Sequence, residues 1–176
     1  MAARVHDSVL QTLVLVQREA GDPRRVAALA RRQERELRAW LYPDPRSEGA
    51  SLAAAVDAAA AEVEELHGVP VELVRTGDVP LDDQVEALAL AAREAMANAA
   101  EHSGADEVSA FVDVGEEEIA VYVRDRGKGF DPESLPPDSH GVAESIRGRM
   151  ERAGGSATIV SSAEGTEVEL KLGRPA

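Results

Sequence analysis

Between Val121 and Asp131 the chain reads VYVRDRGKGFD, an alternating apolar run that enters a charged turn holding two glycines and stops ahead of Pro132. Alternation over a run this short makes a half-buried strand. Asp125, Gly127 and Gly129 form a DxGxG pattern, and glycines at that spacing let backbone come close to a neighbour in conformations other residues avoid. The carboxylate of Asp125 stands at the mouth of the turn. Taken alone, the pattern is far more often a plain hairpin than a ligand-binding turn. A second feature lies upstream. Glu94, Asn98 and His102 fall at i, i+4 and i+8 of a strongly periodic stretch, so they project from nearly one side of a helix, drifting about 40° per step. That stripe interrupts a helix otherwise patterned for burial through Val85, Leu88, Ala89, Ala92 and Met96, spanning about residues 81–103 and closing at Gly104.

Around these two stretches the periodicity predicts one α/β unit. Ser51 reads as the N-cap of an Ala-rich helix to about His67, with Leu52, Val56, Val63 and Leu66 as its apolar points and Gly68 as its stop. A short strand over 69–75 carries an early proline, which suits an edge. Two strands over 107–114 and 118–124, joined at Gly115-Glu116-Glu117, alternate Val108, Ala110, Val112 and then Ile119, Val121, Val123 inward, and deliver Asp125 to the end of the hairpin. Residues 128–140 hold three prolines and little apolar character, which reads as a lid. A helix over 141–152 and strands over 157–162 and 166–172 complete the unit. Arg147 and Arg149 on that helix fit either charge partners for an anion at its N-terminus or solvated surface.

Ahead of this unit, residues 1–42 read as two helices. Val9, Leu13 and Val16 line the first, and Val26, Ala30, Gln33, Leu37 and Trp40 make a heptad-like seam on the second. Such a hairpin leaves an apolar edge that a second copy would cover as a four-helix bundle. Residues 43–49 contain two prolines and form the linker, residues 50–173 the α/β unit, and 174–176 a tail. On the first helix, His6 neighbours Asp7 and lies one turn and a residue before Gln11. A carboxylate beside a neutral imidazole is chemically usable for nucleophilic attack, and an exposed histidine near a chain end is the plainer reading.

Charge separates the two parts: residues 1–46 carry a net +3 and residues 47–176 a net −17 within an overall −14. So acidic a body argues against nucleic-acid binding, which draws affinity from neutralising phosphates. The chain has no cysteine, which removes disulfides, thiolate metal sites and thiol nucleophiles. No stretch approaches the apolar length needed to span a bilayer, and the first residues lack a signal-peptide core. A cytoplasmic location is the expectation.

Arg93 to Ala105 (REAMANAAEHSGA), Asp125 to Phe130 (DRGKGF), His140 to Met150 (HGVAESIRGRM) and Ala163 to Leu170 (AEGTEVEL) resemble, in that order, the nucleotide-binding boxes of the Bergerat-type ATPase domain of sensor histidine kinases. His6 to Gln11 (HDSVLQ) is similar to the HDxxxQ phosphoacceptor motif of one subfamily. The resemblance implies a two-layer α/β sandwich, a mixed sheet with helices on one face, behind a dimerising helical hairpin. It implies ATP as substrate and Mg²⁺ as cofactor. Asn98 would hold the metal, Glu94 and His102 would support it or touch phosphate, and Asp125 would accept from the adenine amino group. Gly127, Gly129, Gly141, Gly165 and Thr166 would shape the pocket. His6 would be the phosphorylated residue, Asp7 its base and Gln11 the positioner of water for dephosphorylating a response-regulator receiver domain. An upstream input region, membrane-spanning or not, would precede His6. Ser139 and Ala163 stand where relatives often carry glycine. That departure keeps open two other readings, a catalytically impaired ATP-binding regulator and an anti-sigma-type serine kinase on the same fold.

Overall fold

The structure, a computed structural model, describes residues 50–129 and 140–174, together with positions 21, 23, 26 and 30. The chain divides into two compact units, Met1–Pro45 and Arg46–Ala176. In the first, Pro23, Val26 and Ala30 are helical, and the helical bundle, His6, Asp7 and Gln11 lie outside the described residues. So do the linker over 43–49 and the lid residues 130–139.

The second unit runs α1 (Leu52–His67), β1 (Val71–Thr76), α2 (Asp83–His102), β2 (Val108–Val114), β3 (Glu118–Asp125), α3 (His140–Arg152), β4 (Ser156–Ser162) and β5 (Gly165–Gly173). Its five strands form a mixed sheet in the order β1-β2-β3-β5-β4, with β1 parallel to β2 and every other pair antiparallel. The parallel pair requires a crossover, and α2 supplies it. The early proline of the first strand falls at Pro70, just before β1, and β1 is an edge strand.

Helix ends are set by short polar side chains. Ser51 Oγ accepts from Ala54 N–H at 3.3 Å, and Asp78 Oδ1 accepts from Ala53 N–H at 2.9 Å, so two donors of the first turn of α1 are satisfied. Gly68 closes α1 in the left-handed region at φ 67°. Asp82 caps α2 by accepting from Gln84 and Val85 at 3.0 and 2.8 Å.

The core lies between the helices and one face of the sheet. Leu88 and Met96 of α2 and Val56 of α1 meet Val108, Val112, Ile119, Val121 and Leu170 of the strands, all at 0 or 1% exposure. With aromatics at 3% of the chain, this core is aliphatic, and small residues such as Ala60, Ala91 and Ala92, fully buried, let α1 and α2 pack closely. On the opposite face of the sheet, Val74, Phe111 and Tyr122 stand in register across β1, β2 and β3, with the two rings stacked at 6.1 Å.

Leu66 departs from the expected pattern. It is 68% exposed, while Glu64 is buried and accepts from Val71 N–H at 2.9 Å. At the last turn of α1 a carboxylate that receives the incoming strand takes the inner position instead of the leucine. Arg174 is also held: its N–H donates to Glu117 O and its guanidinium to Gly115 O, both at 2.9 Å.

Leu88→Ala should therefore lower unfolding free energy by about 2–5 kcal/mol. Leu66→Ala should change it by less than about 0.5 kcal/mol. Urea unfolding followed by circular dichroism checks both, and a large loss at Leu66 would return it to the core.

Candidate nucleotide site

α2 sorts its neighbours by angle. Arg93 turns to α1, where its Nε and Nη2 donate to both oxygens of Glu62 at 2.7 and 2.6 Å, and this bidentate pairing holds the Glu62 carboxyl below the usual carboxylate range. Glu94, one residue on, turns to α3, where its Oε2 lies 3.4 Å from Arg149 Nη2. Both side chains are partly buried. Arg149 is thus part of the helix interface rather than solvated surface.

One turn further along, Asn98 is half-buried and its Nδ2 is buried with no hydrogen-bond partner. Arg149 Nε is in the same condition. These are the two buried side-chain polar atoms without a partner among the described residues, and each would ordinarily cost about 1–3 kcal/mol. His102, in the last turn, is exposed, with Nε2 3.9 Å from the Glu101 carboxylate. The polar stripe therefore grades from a half-buried middle to an exposed rim, because α2 reaches solvent where it ends.

The DxGxG turn leaves the end of β3 beside this helix. Asp125 is 4% exposed, and its Oδ1 accepts from Gly127 N–H at 2.9 Å and Thr166 N–H at 3.3 Å. Lys128 N–H donates to Ser103 O at 3.0 Å, which fastens the turn to the end of α2. A Cβ on Gly127 would land on the Ser103 carbonyl, and one on Gly165 would land on the carbonyl of Asp125. Gly129 sits at φ +57°, where a Cβ would meet the Ser162 carbonyl. Thr166 Oγ1 lies 2.9 Å from Ser161 Oγ across the β4–β5 turn.

Four separated sequence stretches thus converge. Glu94 and Asn98 come from α2, Asp125 to Gly129 from the turn after β3, Gly165 and Thr166 from the start of β5, and Arg149 from α3. Gly141 is in the first turn of α3. Ser103 was not singled out in the sequence, although a serine ahead of Gly104 at a helix end is the signal that would have found it.

A family model described as "Histidine kinase-like ATPase domain" matches residues 47–170, about seventy per cent of the chain. The chain belongs to the histidine kinase-like ATPase domain family. Among characterised proteins it is 31% identical over 81 residues to the sensor histidine kinase LiaS of Bacillus subtilis, covering 46% of this chain and 22% of that protein. The chain thus spans about a fifth of that relative's length. Solved structures share the fold. The mycobacterial sensor histidine kinase MprB aligns with a TM-score of 0.55 at 20% identity, over 72% of this chain and 97% of that one. The histidine kinase domain of the blue-light activated histidine kinase EL346 from Erythrobacter litoralis aligns with a TM-score of 0.58 at 19% identity, over 97% and 89%. The mixed sheet with its helices is therefore the ATPase fold of histidine kinases, and membership of this ATPase family implies nucleotide binding. Among the described residues, no helix is long and apolar enough to cross a membrane.

The glycine geometry predicts that Gly129→Ala destabilises the unit by about 1–3 kcal/mol, because the strained dihedral and the backbone clash act together. Gly173→Ala, with nothing within 4 Å of the added carbon, should stay within about 0.5 kcal/mol. Thermal unfolding of the two variants beside the parent measures the contrast, and equal losses would mean the turn is not clamped.

Proposed function

We propose that this chain is the catalytic region of an ATP-dependent protein-histidine kinase that phosphorylates His6 and passes the phosphoryl group to an aspartate of a response-regulator receiver domain. The observations that carry the nucleotide part are a buried acceptor, Asp125, and on the neighbouring helix a buried donor, Asn98 Nδ2, that lacks an internal partner. Such groups persist in a folded protein where a ligand completes them.

In this reading Asp125 accepts from the adenine amino group through the oxygen that has no hydrogen bond among the described residues. Gly127, Gly129 and Gly165 keep the turn close-packed behind it, and Thr166 and Gly141 border the nucleotide. The oxygen of a side-chain amide suits magnesium, which takes one or two protein ligands and fills the rest of its sphere with phosphate oxygens and water, while Nδ2 would donate to a phosphate oxygen. Magnesium, when bound, would neutralise charge on the polyphosphate. Asn98 would hold it, with Glu94 and His102 supporting.

His6 then acts as nucleophile. Its free ring nitrogen forms a bond to the γ-phosphorus while the bond from that phosphorus to the β–γ bridging oxygen breaks, ADP leaves, and Asp7 takes the imidazole proton. Gln11, four residues beyond Asp7, orients a water for hydrolysis of the receiver's acyl phosphate. Homodimerisation through residues 1–42 brings two such units together, and a cytoplasmic position supplies ATP. The family match covers the ATPase domain, residues 47–170, and the second reading is an ATP-binding regulator or anti-sigma-type serine kinase built on that same domain, to which the departures at Ser139 and Ala163 point.

Incubation with γ-labelled ATP and Mg²⁺ separates the readings. The parent should acquire acid-labile, base-stable label that His6→Ala abolishes while still binding nucleotide. Gln11→Ala should keep labelling and transfer but slow loss of phosphate from the receiver by roughly 10²-fold or more. Acid-stable label that survives in His6→Ala would transfer the activity to a serine or threonine.

A further inference from the structure

We propose that Arg149 is a phosphate-binding residue of the nucleotide site, resting beside Glu94 until a polyphosphate supplies the acceptors its guanidinium lacks. The inference depends on the nucleotide-binding reading above and adds a residue to it.

The same helix offers an internal comparison. Arg93 and Glu62 form a two-pronged ion pair at 2.6 and 2.7 Å, the spacing expected of charge-assisted hydrogen bonds built to tie two helices together. Arg149 and Glu94 make one contact at 3.4 Å. A guanidinium has five N–H donors in a planar fork, and here Nε is buried without a partner while Nη2 is only loosely engaged. A purely structural tie would use the fork more fully. The arginine is held in place by its neighbours Ile146 and Met150, which are buried in the core and fix the face of α3 that meets α2.

Charge balance points the same way. Glu94 lies one turn from Asn98, Asp125 ends β3 at the turn fastened to the end of α2, and a polyphosphate would add further negative charge. Among the described residues, Arg126, Lys128 and Arg147 are exposed, whereas Arg149 is partly buried and already lies beside the carboxylate one turn from Asn98. A cation in a partly desolvated wall acts on phosphate more strongly than one in water. The planar fork matches phosphate oxygens, which an exposed lysine would meet as a point charge.

The test compares ATP, ADP and adenosine binding by calorimetry, with chelator present to remove metal, for the full chain and its Arg149→Met and Arg149→Lys variants. Arg149→Met should bind ATP about 10- to 100-fold more weakly, ADP less affected, and adenosine as the parent does. Arg149→Lys should recover part of the ATP loss. Without nucleotide, Arg149→Met should unfold at the parent's temperature. Equal weakening for ATP and adenosine together with a lowered unfolding temperature would make Arg149 a helix tie and overturn the proposal, as would unchanged ATP affinity. A parent chain that binds no nucleotide overturns the functional reading itself, which is a separate outcome.

Discussion

The carboxyl group of Asp125 is the joint on which the functional half of the fold depends. One buried oxygen receives an N–H from the turn that follows it and another from the strand that pairs with its own. A buried polar group is stable only when its bonds are made, so Gly127 and Thr166 cannot move apart without stranding it. Closing the turn this tightly brings the carbonyls of Ser103, Ser162 and Asp125 to where side chains at 127, 129 and 165 would sit. Three glycines in two distant stretches follow from one carboxylate.

α2 is the other half of the arrangement. Its inner face is an aliphatic surface against the sheet, and its flanks divide two adjacent charged residues between two helices. Arg93 is satisfied on α1, whereas Glu94 meets an arginine that it satisfies only in part. Asn98, one turn beyond Glu94, and Arg149, the α3 residue beside Glu94, hold the two buried side-chain polar atoms without a partner among the described residues. Stability and binding are set against each other on one helix.

Much of this was legible in the residues. The alternation of Val108 to Val112 and of Ile119 to Val123 gave the hairpin because one face is core and the other is solvent. Ser51 and Gly68 marked α1 because capping is local chemistry. Leu66 was misread since a helix pattern carries no information about where the next strand enters, and there the carboxylate of Glu64 takes the inside position. The convergence on Asp125 could be expected from motif order, while the clamp through Ser103 and the incomplete pairing of Arg149 depend on tertiary approach, which spacing alone does not encode. The HDSVLQ stretch is different again: it lies outside the described residues, and its reading stands on the motif.

Family membership places an ATPase domain on residues 47–170, and in the function proposed for it Asp125 would read adenine. Calorimetric titration of the parent and Asp125→Asn with ATP and with GTP tests that most directly. A site built to accept from an exocyclic amino group rejects a base that presents an oxygen there, so the parent should bind ATP at least about 100-fold more tightly than GTP and the variant should lose most of that difference. Equal affinity of the parent for the two nucleotides would contradict it.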